Sequence, residues 1–437
     1  MIRSLALLLS FPAVPAAEWP EWRGPDAQGH AAAAGLPLNW GEGTNVVWRS
    51  ELPGRGWSTP VVKGSEIWVT TARETPATEE EKQARLKANT GNQPLTLMGE
   101  VSWHALRVDR ESGRILDDIR LFARQAPQWV HELNSYASPS PVLDGDRLYA
   151  QFGAYGTACV DLTTRAVVWT NTEAALEVMH ENGPGGSPVL WRDLLCFHLD
   201  GSDRQFVVAL DKRTGSLRWK TDRSGTMHKD PQLKKSYGTP LLLELGGEPV
   251  VISQGSNWLY GYHPADGTER WKVDYGILGF SVSTRPVSDG RRVYYSTGFM
   301  KPEMQAVDLV ANPPAIVWRY AKGVPQVPSP ILAGGHLFFA SDKGGIVTCL
   351  DAETGAERFR ERLQGNFSAA PIHAEGRLYF NNREGETFVI AAEPAFRLLA
   401  SNRLDGRLLA SPVAVGRSLF LRTDRALYRI EDLGLRT

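Results

Sequence analysis

Three histidines and several carboxylates recur at one kind of position in this chain. His131-Glu132-x-Asn134-x-Tyr136, His180-Glu181-Asn182 and His228 each lie just ahead of a short apolar run. Tyr155 and Asp200-x-x-Asp203-Arg204 lie in loops that follow one. Imidazoles beside carboxylates are the donor set of a metal site, and equally the partners needed for general acid–base catalysis. The same groups also make an ordinary polar rim whose side chains cap one another, since their spacing matches no established ligand motif. Whether they meet depends on the elements that carry the loops.

Those elements are copies of one unit. Val207–Lys220 (VVALDKRTGSLRWK) reads as an apolar strand, a tight turn through Gly215 and a second strand ending near Trp219. The phrase returns at Val160–Trp169, Tyr262–Trp271 and Leu350–Phe359, and with a longer turn at Val307–Trp318. A lone hairpin cannot bury its own face, so a recurring one implies neighbours of its kind. Each copy is preceded by a front half, in which small residues and a proline open a strand. The marking prolines are Pro60, Pro141, Pro188, Pro240, Pro286, Pro330, Pro371 and Pro412. After a first gap of 81 residues they fall 41 to 52 apart, the period of a four-stranded propeller blade.

The expected fold is therefore all-β, an eight-bladed propeller of four-stranded antiparallel blades. Blade eight has only three strands of its own, Ser411–Val415, Ser418–Thr423 and Ala426–Ile430, and Asn45–Leu52 is a half-repeat without a front. Joining the two closes the ring and removes an open sheet edge. Trp48 then holds the place of Trp169, Trp219, Trp271 and Trp318, with Phe359 as a smaller substitute. Blade seven offers Leu398-Leu399 there and blade one Asp117.

Strand connectivity sorts the loops onto two faces. The A–B and C–D turns are uniform turn chemistry, whereas the loops entering strand A and joining B to C hold almost every unusual residue, the candidates above among them. Blades two, three and four are neighbours, so their imidazoles and carboxylates are expected on one sector of one rim. The long first gap is an insertion over 73–100 on that face. Its Thr78-x-x-Glu81 capping box predicts a short helix over Thr78–Ala88. The segment Tyr294–Met304 is the other irregular B–C stretch, and Phe299 and Met300 suggest a contact surface.

The ends and the composition bound the setting. Arg3 followed by the apolar run Leu5–Val14 and small residues after it predicts an export leader over 1–17. An arm over 18–44, opening EWPEWRGP, is expected to pack on the propeller of 45–433. No Cys follows the leader to take a lipid. Cys159, Cys196 and Cys349 are odd in number and far apart, as buried free thiols would be. With 48 basic and 49 acidic side chains and a net charge of −1, nothing favours nucleic acid. No run is long enough to span a membrane.

The phrase VALDKRTGSLRW and its weaker copies resemble the repeat of the pyrroloquinoline-quinone (PQQ)-like propellers. These include the quinoprotein alcohol dehydrogenases and the β-barrel assembly lipoprotein of the outer membrane. Over residues 19–433 the chain more closely resembles a group of exported propellers common in planctomycete- and verrucomicrobia-type bacteria. WPEWRGP, LNSYASPSPV (133–142), FGAYGTACVD (152–161) and ENGPGGSPVL (181–190) carry that likeness. The resemblance implies the fold and transfers no activity. It sets two main functions against each other: a dehydrogenase holding PQQ and calcium in its funnel, and a non-catalytic periplasmic or secreted propeller. The second would be a monomer binding a protein, peptide or glycan through one face, with His131, Glu132, Asn134, Tyr136, Tyr155, His180, Glu181, Asn182, Asp200, Asp203 and His228 as candidate contacts. The chain lacks an adjacent Cys pair and a CxxCH haem segment, and no calcium ligand aligns. The second reading is favoured, with no cofactor assigned; a metal-dependent enzyme using the rim ranks third.

Overall fold

A computed structural model describes residues 18–87 and 95–434, so the expected leader lies outside the described residues. The strands nearest the axis begin alike in most blades. Ahead of the marking proline stands Thr59, Ser140, Ser187, Thr239, Ser329 or Ser411 in six of the eight blades. A following proline holds such a residue in extended backbone. Its N–H is then free for the next blade's hydroxyl. Thr59 N donates to Ser140 Oγ, Ser140 N to Ser187 Oγ and Ser187 N to Thr239 Oγ1, each at 2.9 Å. Arg285 N donates to Ser329 Oγ at 2.8 Å and Ala370 N to Ser411 Oγ at 3.1 Å. Ser411 N reaches Thr59 Oγ1 at 3.2 Å and carries the ring past the chain ends. Two links are missing, at Arg285 and Ala370, which have no hydroxyl.

Around this ring stand eight four-stranded antiparallel sheets, each paired in the order A-B-C-D. The eighth consists of Val413–Val415, Ser418–Arg422 and Ala426–Ile430, with Val46–Glu51 pairing antiparallel to the last of them. The molecule is an eight-bladed β-propeller, and its apolar cores lie between successive blades.

One irregularity explains the recurring tryptophan. In blades two to seven the C–D register slips by one residue near the end of strand C, between Ala209 and Leu210 for example. Such a bulge re-aims the side chain beside it. Trp169, Trp219, Trp271 and Trp318 face small partners, Cys159, Ala209, Gly261 and Ala306. Trp169, Trp219 and Trp318 lean on the next blade's turn glycine, Gly215, Gly267 and Gly355, all at φ of +72° to +74°. Their indole N–H groups donate to turn carbonyls at Lys212, Pro264 and Ala352, at 2.9 to 3.1 Å. Trp48 does the same to Gly113 and Arg110 O (3.1 Å), so the closing seam uses the device of the others. The thiols of Cys159 and Cys349, opposite Trp169 and Phe359, are pushed up to about 12 by burial, as is that of Cys196. Buried in this way they fill space between strands.

Two seams differ. In blade seven the register sets Ala400, not Leu398-Leu399, at the tryptophan position opposite Val389. In blade one Asp117 holds that position, and the next turn carries Arg165 at φ +64° in place of glycine. Arg165 lies 3.5 Å from Asp117 and 2.9 Å from Glu66, so an ionic seam replaces ring on glycine. Both partners keep over a quarter of their surface exposed, and Asp117→Ala should cost about 1 kcal/mol in urea unfolding.

The blade-one insertion is partly sheet. Strands B and C run Glu66–Pro76 and Met98–Asp109, and Leu95–Thr96 pairs with Val130–His131 ahead of blade two. The helix spans Glu79–Leu86, with the Thr78/Glu81 capping box formed; Ala88 lies outside the described residues.

Candidate functional site

Strands A line the axis, and the N-terminal arm runs along it, from the residues just ahead of these strands into their length. Trp19, fully buried, exchanges both backbone hydrogen bonds with Val62 of blade one at 2.9 Å. Pro20 O accepts from Leu143 N of blade two at 2.8 Å, and Trp22 Nε1 donates to Ser411 Oγ of blade eight at 3.0 Å. Glu21 pairs with buried Arg285 of blade five. Arg23 donates to Pro371 O at 2.7 Å and Pro330 O at 3.1 Å, in blades seven and six. Burial foremost, then the Arg285 charge, lower the Arg23 guanidinium to about 9 against the pull of Asp26 and Glu21; it stays charged at neutral pH. Arg285 stands where six of the other blades carry the ring hydroxyl. The hydroxyl ring is broken there to hold the arm.

The arm's next residues form a clasp. His30 lies between the Asp26 carboxylate and Leu332 O (2.6 Å), so both ring nitrogens face acceptors and the imidazolium is favoured. Burial lowers the His30 pKa, but the Asp26 hydrogen bond and charge raise it net above 6.5. For Asp26 burial raises and His30 lowers, leaving the carboxyl below 3.8. A raised histidine stabilises fully below its unfolded value and loses this as pH rises through the folded one. A depressed carboxylate stabilises above its unfolded value and loses this as pH falls through the folded one. The clasp is thus firmest from about pH 4 to 6.5. Limited proteolysis should cut the arm faster at pH 8.5 than at 5.5, and His30→Gln should flatten that difference.

At the N-terminal ends of strands A a cavity of about 650 Å³ opens, with Trp22 of the arm among its walls. Trp57, His131, Asn134, Asn182, Tyr237, Phe280, Phe299, Asp342 and Arg383 also line it, with the hydroxyls of Thr59, Ser140, Ser187 and Ser411. Of the sequence candidates, His131, Asn134 and Asn182 reach this cavity. Asn134 ties two blades' loops together, donating to Asn182 O (2.8 Å) and Pro184 O (3.0 Å).

The other candidates are engaged in the structure itself. Tyr136 and Tyr155 sit buried in an aromatic seam around Trp103 and both donate to Gln128 O, at 2.9 and 3.1 Å. Asp200 and Arg223 are a buried pair at 2.7 Å between blades three and four, with Arg223 over the Tyr260 ring. Glu181 neutralises buried Lys235 at 2.8 Å. Asp203 accepts from Met179 N at 2.8 Å and fixes its own blade's entry loop. Asp342, Glu384 and Asp424 do the same for Val327, Asn366 and Arg407, so this acid is a repeated loop cap. Glu132 offers its carbonyl to Arg55, and His228 Nδ1 accepts from Asp230 N. Among the described residues no three His, Cys, Asp or Glu side chains gather as a metal site.

Three imidazoles, those of His131, His180 and His198, are held below their ordinary value. Burial lowers His180 to about 4, with Asp203 opposing and Lys235 reinforcing. His131 is lowered by burial and Arg383 against Glu132, and His198 falls well below 6.5 by burial. A general base for neutral pH wants a value near 7. Asp342 is raised by burial to about 6, but Gln326 N and Val327 N (2.9 Å) each donate to one of its oxygens.

Sequence reasoning missed Trp22, Trp57, Phe280, Asp342 and Arg383. The B–C loops of blades six and seven, SDKGG and NREGE, were the available signal for the last two. A quinone held by calcium needs six to eight oxygen ligands on the ion, carboxylates among them. The lining supplies one carboxylate, already engaged. These residues do not fit that cofactor.

No curated protein matches the chain. The structure of BamB from Moraxella catarrhalis is similar with a TM-score of 0.58 at 11% identity, covering 90% of this chain and 99% of that one. The computationally designed Ika8 protein follows at 0.54 and 10%, covering 78% of this chain and 98% of its own. A europium-containing methanol dehydrogenase gives 0.48 at 11%, over 93% and 89%. At such identities the likeness is one of fold. The family model described as outer membrane protein assembly factor BamB matches residues 157–298 and 255–426, together more than half the chain. With the repeat, the eight blades and this match in agreement, the chain belongs to the BamB family of PQQ-repeat propellers.

Proposed function

We propose that this is an exported, non-catalytic propeller that binds its partner through the face carrying the axial cavity. The observation that supports it most is one-sidedness. The arm runs from Trp22, in the cavity wall, to the A–B turns at Glu375 and Gly416, so it covers that end of the axis while the other opens at the cavity. On the loops of that open face Leu133, Met179, Ile277 and Met300 are 40% to 60% exposed. Large apolar side chains left in water around a cavity mark contact surfaces. The low histidine values and the engaged carboxylates argue for binding over turnover. The family resemblance, the export leader expected over 1–17 and the absence of a membrane-crossing helix among the described residues agree with work in the periplasm or outside the cell.

A photo-crosslinking residue placed at Met300 or Met179 tests this in the native host. The same residue at Gly246 or Gly376, in A–B turns of the opposite face, is the control. Cross-links to a host macromolecule from the first pair alone are expected. Equal cross-linking from both faces, or none from either, contradicts the reading.

A further inference from the structure

We propose that blades four to six carry, on the cavity face, a docking surface for an acidic protein segment bearing large apolar side chains. This rests on the binding reading above and names the partner's class. The chain has only 12 lysines among its 48 basic residues. Lys63, Lys82, Lys212, Lys220, Lys235 and Lys272 are each paired with an acid. Among the described residues the other six make no ion pair, and five of these fall in one sector: Lys229, Lys234, Lys301, Lys322 and Lys343. Lys229 and Lys234 lie in the loop entering blade four and Lys322 in that entering blade six. Lys301 and Lys343 lie in the B–C loops of blades five and six. The acids of these loops do not cancel them. Asp230 is turned to Gln232 N at 2.9 Å, Glu303 pairs with Arg319 at 3.0 Å, and Asp342 is offset by Arg383.

The same sector brings up apolar side chains on a two-stranded ribbon, Gly279–Phe280 with Phe299–Met300. Lys301 follows Met300 directly, and the helical turn Pro231–Lys234 packs against Gly279–Phe280. Ile277, just ahead of the ribbon, is 60% exposed and Met300 51%. Met300 also holds φ +98°, backbone that glycine adopts freely and other residues rarely do. An exposed apolar side chain on strained backbone does not help the fold; it marks a contact. The ribbon is fixed in place, since Ser281 N donates to Lys235 O at 2.7 Å and Tyr237 N to Val282 O at 2.6 Å. A preorganised apolar tip among uncancelled ammonium groups suits carboxylates flanking large apolar side chains. Two other anions fit worse. Phosphate-rich chains draw the forked guanidinium, yet lysines stand here although arginines outnumber them 36 to 12 in the chain. A flat anionic membrane across the face would press on Glu79, Glu80 and Glu132, exposed on the blade-one helix and blade-two entry loop. A segment following blades four to six does not meet them.

Fluorescence anisotropy of a labelled peptide alternating glutamate with leucine and phenylalanine, titrated with the full chain, tests this. Binding should weaken as salt rises. Lys229→Gln, Lys301→Gln and Lys322→Gln together should weaken it about tenfold at low salt and blunt the salt dependence. Met300→Gly should also weaken it about tenfold while melting no lower than the parent, because glycine relieves the strained backbone. Equal binding of a peptide with lysine for glutamate, or with serine for the apolar residues, overturns the proposal. So does unchanged affinity in these variants, or binding to phosphatidylglycerol vesicles without binding to the peptide. Cross-links from Met300 to a host protein together with no peptide binding would leave the binding reading standing and remove this one.

Discussion

Arg285→Ala should lower unfolding stability by about 3–5 kcal/mol, one of the two largest single-residue losses expected in this molecule. The guanidinium is buried, pairs with Glu21 and donates to Pro240 O at 3.1 Å. Truncation leaves an acid without its partner near the axis and a carbonyl unsatisfied, and a deserted buried charge is costlier than the pair was valuable. The Arg285→Met, Glu21→Leu double variant should recover much of the loss, because it removes both charges together. Urea unfolding of the four members of that cycle gives the coupling. Losses that simply add would mean that arm and blade five are independent, and the plugged axis would lose its support. Protease cleavage within 18–30 should rise in Arg285→Ala before global unfolding, since the arm is released first.

The other large effect lies in a seam. Gly215→Val should cost about 3–5 kcal/mol, summing left-handed strain and overpacking. A Cβ at Gly215 would stand 2.4 Å from Trp169 Cε3, at φ +74°. The ring must leave its place and surrender the bond to Lys212 O. Gly246→Val supplies the control, because Gly246 has φ +61° but nothing within 4 Å of its would-be Cβ. It should cost only the backbone strain, about 1–2 kcal/mol. The difference between the two measures the tryptophan dock. Equal losses would reduce the seam to turn geometry.

The fold was legible in the sequence because its signals are local and repeated. A proline after a small residue, a Thr-Gly turn and a tryptophan each specify a few residues of backbone, and their spacing counts the blades. The half-repeat at Asn45–Leu52 told which strand completes blade eight, and Val46–Glu51 pairs there. The site was less legible. His180, Tyr136 and Asp200 carry side-chain types suited to chemistry, but burial is set by neighbouring blades distant in sequence. His180 sits under Gly153, and Asp200 is matched by Arg223 of the next seam. Asp203 looked like a ligand until Asp342 and Asp424 showed the same bond to an entry loop. The arm's course through the axis had no signal in periodicity, since Glu21 and Arg23 find partners more than 250 positions away.

Binding without turnover is tested most directly by the content of the full chain purified from its native host. Quinone absorbance and elemental analysis for calcium, zinc and iron should show neither quinone nor metal near one per molecule. A stoichiometric quinone with calcium, reducing a dye when an alcohol is added, would contradict the account.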